Sequence, residues 1–177
     1  MAASHSSPFP PVRRVITGHT PDGKSTVLAD APQPPRFFVP SEKSPMYDIH
    51  HASESPAVID SEITQGKWVD ESLSHPELFG GNGSNWRCWD MAPGQVTVIH
   101  RTVTIDYGLV FRGSIVLELD DGQKVTLNEG DSVVQRGTMH TWRNESKEWT
   151  RMYFVMMNAK PIEIEGKTLG AEIHEAK

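Results

Sequence analysis

The chain has a single cysteine, Cys88, among its 177 residues. An internal disulfide and a cysteine-cluster zinc site are therefore excluded. No apolar run approaches the ~20 residues of a membrane span, and no N-terminal segment joins a basic stretch to an apolar one as a secretory signal does. Dense Lys/Arg runs are missing and the formal charge is −6, which disfavours general binding of nucleic-acid phosphates. There is no internal repeat and no convincing amphipathic helical period. Charged residues make up 23% and the apolar set 37%, a balance that fits neither a membrane bundle nor a charged disordered polymer. The length suits one domain with extensions, and the expectation is a cytoplasmic protein with no nucleic-acid or membrane partner.

What is present is organised unevenly. Residues 1–11, MAASHSSPFPP, are small, polar and Pro-rich, and read as a disordered leader. Residues 12–85 read as a hairpin followed by an extended arm. Val12–Thr17 and Ser25–Leu28 flank a turn at Pro21-Asp22-Gly23. Six prolines between Ala31 and Pro56 then remove backbone donors and rule out helix. Residues 57–85 are ambiguous and contain HPELFGGNGSN, a surface-loop composition. From residue 86 to 158 short β-prone runs follow one another: Trp86–Met91, Val96–Val103, Gly108–Leu119, Lys124–Leu127, Ser132–Val134, His140–Arg143 and Thr150–Met157. Asp121-Gly122 between two of them is a strong hairpin signal. This spacing predicts an antiparallel sandwich or barrel, with residues 159–177 as a C-terminal tail.

Within the β-region, GQVTVIHRTVTIDYGLVFRG sets Gly94, His100, Thr102, Asp106 and Gly113 at gaps of five, one, three and six residues. GDSVVQRGTMHTWRN sets out Gly130, Gln135, Gly137, His140 and Asn144. These stretches resemble the two motifs of the cupin superfamily, with Gln135 where the family usually has Pro and one residue missing after Gly130. The flanks RRVITGHTPDGK and AKPIEIEGKTLG also look like those of small single-domain cupins of fungi and bacteria. The resemblance implies an all-β fold: a cupin-type antiparallel β-barrel (double-stranded β-helix, or jelly roll), here with an N-terminal extended arm.

A metal-binding cupin draws His, His and Glu from its first motif and a third His from its second. By position this chain retains His100 and His140, replaces the second His with Thr102 and the Glu with Asp106. A hydroxyl is a poor ligand beside imidazole, so one ligand is effectively lost. Two His and a carboxylate can still form a facial triad for Fe(II), and Zn or another divalent metal would use the same His100, Asp106 and His140. No cofactor is favoured. The glycines read as turn and bulge residues. His5, His50, His51, His75 and His174 fall in leader, arm, loop or tail and read as solvated.

His100, Asp106 and His140 are the candidate catalytic residues. Neutral imidazole exchanges protons near pH 7, and a carboxylate beside it acts as base or orients it. Candidate substrate-binding residues are Thr102, Tyr107, Trp142, Arg151 and Tyr153. Trp142 reads either as an aromatic wall or as barrel core. Arg151 and Tyr153 share a face that is either an anchor in the pocket or a solvated surface, and Tyr107 beside Asp106 is a candidate general acid. The leading expectation is an acid–base lyase or isomerase (dehydration, decarboxylation or cyclisation) without a redox metal. Its small oxygenated, polyketide- or aromatic-type substrate is implied only by the resemblance. The alternatives are a metal-dependent dioxygenase or oxidoreductase and a non-catalytic small-molecule-binding cupin. A homodimer is expected, with part of residues 12–60 pairing with the neighbouring subunit's sheet.

Overall fold

A computed structural model describes residues 7–38, 43–59, 70–74 and 82–174. His5, His75, leader residues 1–6 and loop residues 75–81 lie outside the described residues. The strand runs become β1 (Arg13–His19), β2 (Ser25–Pro32), β3 (Met46–Ala52), β4 (Ser84–Met91), β5 (Ile99–Arg101), β6 (Thr104–Arg112) and β7 (Ser114–Leu119). They continue as β8 (Lys124–Asn128), β9 (Ser132–Arg136), β10 (His140–Arg143), β11 (Thr150–Asn158), β12 (Ile162–Ile164), β13 (Lys167–Leu169) and β14 (Glu172–His174). One antiparallel sheet has the order β3-β4-β11-β6-β9 and the other β14-β5-β10-β7-β8. The hairpins β1-β2 and β12-β13 stand beside them. This is the all-β double-sheet barrel that the strand pattern predicts. Among the described residues no helix is long and apolar enough to cross a membrane.

The apolar alternation of the strands points Trp89, Met91, Val110, Ile115, Leu117, Leu127, Trp142 and Met152 between the two sheets, where they form the main core. A second cluster lies outside the β4–β11 part of the sheet: Val12, Tyr47, Ile49 and Cys88, with Tyr153 against it. Cys88 is fully buried there, and burial pushes its thiol up to about 12, so the one cysteine is not a ready nucleophile.

Two of the runs change most. Gly108–Leu119 is two strands, because Gly113 takes φ +79 between β6 and β7 and a Cβ there would sit 2.6 Å from the Trp149 carbonyl oxygen. Of Val96–Val103, only Ile99–Arg101 is strand, with Val96 forming an isolated bridge to Arg143. The tail is structured: β14 pairs with β5 and closes that edge of its sheet. The arm also acts within its own chain, since β3 pairs with β4 in register Met46↔Trp89 to Ala52↔Ser84. β3 thus covers the β4 edge of its sheet within the chain. Ahead of β1, the Pro10 carbonyl accepts a hydrogen bond from Arg151 Nη1 at 3.0 Å.

Candidate active site

β5 and β10 are antiparallel neighbours, and His100 and His140 are register partners on them. Both rings are buried, with centroids 4.3 Å apart and planes tilted by 52°. His100 Nδ1 lies 3.0 Å from the Val98 carbonyl oxygen, and His140 Nδ1 lies 2.9 Å from that of Thr138. The Gln135 side-chain amide also lies 3.1 Å from His140 Nδ1. The two hydrogens of Gln135 Nε2 go to the Thr138 carbonyl and hydroxyl oxygens, whereas a carbonyl only accepts, so the carbonyl sets the tautomer. Each Nδ1 then carries the proton, and each Nε2 keeps its lone pair. Burial lowers the pKa of His100. Burial, then the neighbouring His100, pushes His140 down to about 4. Both imidazoles are therefore neutral at physiological pH.

Asp106 comes from the other sheet. Along β6 the buried residues Thr104, Asp106 and Val110 alternate with the exposed Tyr107 and Leu109, so Asp106 points inward. It stands in register with Gln135 on β9 and Met156 on β11. Its Oδ1 is buried with no hydrogen-bond partner among the described residues. Burial raises the carboxyl to about 6, against the opposing effect of a hydrogen bond with Thr104. Thr104 Oγ1 is 2.6 Å from Thr102 Oγ1, so two hydroxyls and the carboxyl form a short polar line. Gln135 links the halves of the site, opposite Asp106 in register and against His140.

A family model described as a cupin domain matches residues 87–156. The chain is 34% identical over 170 residues to Oryzines biosynthesis cluster protein J of Aspergillus oryzae, covering 96% of this chain and 95% of the relative. The chain belongs to the cupin family. This cupin is also 37% identical over 174 residues to Phomopsin biosynthesis cluster protein D of Diaporthe leptostromiformis, over 96% of this chain and 92% of that one. It is 32% identical over 163 residues to cupin-domain-containing oxidoreductase virC of Hypocrea virens, over 89% and 82%. Among solved structures, the polyketide cyclase RemF from Streptomyces resistomycificus superposes with a TM-score of 0.51 at 12% identity over 82% of each chain. At that identity the likeness concerns the fold alone.

In this cupin the other sequence candidates divide. Trp142 is both core and wall: it belongs to the main core and sets its ring edge-on to His140 at 5.8 Å. Thr102 is buried at the step between β5 and β6 and meets Thr104. Tyr107 is not a general acid beside Asp106, because neighbours in a strand face opposite ways. It lines an apolar depression on the outside of the sheet with Trp86, Leu109, Phe111 and Tyr153. Arg151 is neither a pocket anchor nor a solvated residue. It is buried on the outer face, bonded bidentately to Asp90 at 2.6 and 2.7 Å, with Phe9 and Tyr47 rings over its guanidinium. Tyr153 shares that outer face, edge-on to Phe111 at 5.6 Å.

His51, read from sequence as solvated, is buried and lies 2.7 Å through Nδ1 from Asn85 Oδ1. His50 is exposed, and His174 is exposed beside Glu172. Gln135, noticed in the sequence only as a substitute for Pro, is a pocket residue; its departure from the motif was the available signal. Two imidazole Nε2 atoms and a carboxylate have the donor chemistry of a divalent metal site. Among the described residues, however, no three His, Cys, Asp or Glu side chains are gathered so as to hold a metal ion.

Proposed function

We propose that this cupin is an enzyme of secondary metabolism that moves a proton on a small oxygenated, polyketide- or aromatic-type substrate, as a lyase or isomerase. The observation that carries the reading is the buried, unpartnered Asp106 Oδ1 on one sheet, facing across the barrel from a sheet that carries two neutral imidazoles. A desolvated carboxylate is a stronger base than a solvated one, and a pKa of about 6 leaves it mostly ionised at pH 7 yet easily protonated. Asp106 takes the proton from a carbon beside a carbonyl. The same proton then goes to a departing hydroxyl, giving water, or to another carbon, giving an isomer. No external oxidant or reductant enters this balance. His140 Nε2 accepts a hydrogen bond from a substrate hydroxyl and fixes the reacting carbon against Asp106, with the His100 ring packed against it. Relatives named as biosynthesis cluster proteins support the metabolic setting.

A second reading is an oxidoreductase, the name that two relatives bear, with a metal held by His100, Asp106 and His140. Turnover of hydroxylated polyketide-type compounds with and without EDTA separates the two. Chelator-insensitive formation of a product lighter by water, or of unchanged mass, supports proton transfer. Turnover that vanishes with EDTA and returns with Fe(II) overturns it.

A further inference from the structure

The inner face of the β3-β4-β11-β6-β9 sheet carries one continuous cross-strand row, His51–Asn85–Met156–Asp106–Gln135. Each member is the register partner of the next: His51↔Asn85, Asn85↔Met156, Met156↔Asp106 and Asp106↔Gln135. His51 reaches the inner face because the β3–β4 register shifts between Asp48 and His50, which turns His50 out and His51 in. Asn85, Phe154 and Met156 stay half-buried although they sit on the inner face, so the interior is open along this row.

Chemistry differs along it. At one end stand Asp106 and Gln135, and at the other His51 and Asn85. Between them lies Met156, and in the next row Phe154 covers Gly108 so closely that a Cβ there would sit 2.9 Å from its ring. His51 Nδ1 donates to Asn85 Oδ1, which turns the amide nitrogen, Nδ2, away from the imidazole. Among the described residues Nδ2 has no hydrogen-bond partner, and Asn85 is half exposed.

We infer that Asn85, oriented by His51, is a second polar anchor of the pocket, and that the substrate is a flat two-ring molecule with oxygen functions at opposite ends. One oxygen meets Asp106 and the other accepts from Asn85 Nδ2, with the apolar middle over Met156 and Phe154. Two strand spacings separate the anchors, about 10 Å between backbones, which is the span of two fused six-membered rings with their oxygens. This rests on the proposed proton-transfer reading and adds the shape and second contact of its substrate. Asn85 is a binding residue and His51 a positioning residue.

The test uses 2,6-dihydroxynaphthalene, with an oxygen at each end, against 2-naphthol, with one, by calorimetry on the full chain. The diol should bind roughly 10-fold tighter, the effect of one added hydrogen bond in a water-poor site. Asn85→Leu and His51→Leu should each bring the two probes to equal affinity, while His51→Gln, which keeps a donor, preserves the preference. Equal binding of both probes to the unaltered protein overturns the second anchor and leaves proton transfer by Asp106 standing. So does a preference that survives Asn85→Leu. A protein that binds neither probe overturns the anchor and the aromatic substrate class together. Because the first comparison needs no variant, a misfolded His51 mutant does not blunt the test.

Discussion

His100 and His140 are turned the same way: each ring gives its Nδ1 to the carbonyl two residues upstream, Val98 for one and Thr138 for the other. Two neighbouring buried imidazoles disfavour each other's charged form, which adds to the burial that holds His140 down at about 4. Asp106 is shifted the other way, up to about 6. The usual order of carboxyl and imidazole is thereby inverted. As pH falls, the carboxyl gains its proton before His140 does.

Asp106→Asn should raise stability and lower activity. The folded pKa lies above the unfolded value of 3.8, so the ionised group opposes folding at neutral pH. The penalty is full above pH ~6 and disappears as pH falls toward ~4, with a size on the order of 2 kcal/mol. The asparagine variant should therefore be more stable by about that amount at pH 7 and equal to the parent near pH 4, in urea unfolding. His140 has the opposite sign, its contribution being lost as pH falls from 6.5 toward about 4. The variant's stability should accordingly rise with pH over that window. Its kcat should drop by roughly 10²–10⁴ if Asp106 is the base. A variant that is no more stable at pH 7, or fully active, contradicts the role given to this carboxyl.

Removing pocket imidazoles should spare the fold, whereas filling a backbone crossing should not. His100→Ala and His140→Ala should remain folded by circular dichroism, because they line an opening and do not fill the main core. Gly113→Val must adopt φ +79 with a Cβ 2.6 Å from the Trp149 carbonyl oxygen, and should lose several kcal/mol or fail to fold. Aggregated histidine variants beside a soluble, folded Gly113→Val protein would reverse these roles.

The outer face offers a separate check. Arg151 and Asp90 have side-chain exposures of 5% and 0%, so Asp90→Ala would strand a buried guanidinium. The expected loss is about 3–5 kcal/mol in urea unfolding, with 2-naphthol affinity unchanged because the pair lies outside the barrel. A loss below about 1 kcal/mol, or weakened binding of the probe, would place the pair elsewhere in function.

Strand alternation made much of this site legible. A period of two puts His100 with Thr102 and His140 with Trp142 on shared faces, all four buried, and the motif spacing joins Asp106 to them. Alternation applied to Tyr107 would have set it outside, since Asp106 is its immediate neighbour. Arg151 and Tyr153 did share a face, as their spacing requires. That the outer face would be buried depended on residues 9–12 and 47–49 folding back over it, a contact no local pattern carries. His51 was invisible for a different reason. One register shift in β3 exchanges the inner and outer faces of every residue after it, and a stretch with five prolines before that strand and one after it gives no period from which to count.

The protonation pattern of the three central groups is the most direct test, and it needs no substrate. Nitrogen-15 NMR of the imidazoles and carbon-13 NMR of the Asp106 carboxyl, followed through a pH titration, read each group separately. The account predicts both histidines neutral at pH 7 with the proton on Nδ1, His140 titrating near 4, and Asp106 titrating near 6. Protons on Nε2, or a carboxyl titrating near 3.8 like a solvated aspartate, would contradict it.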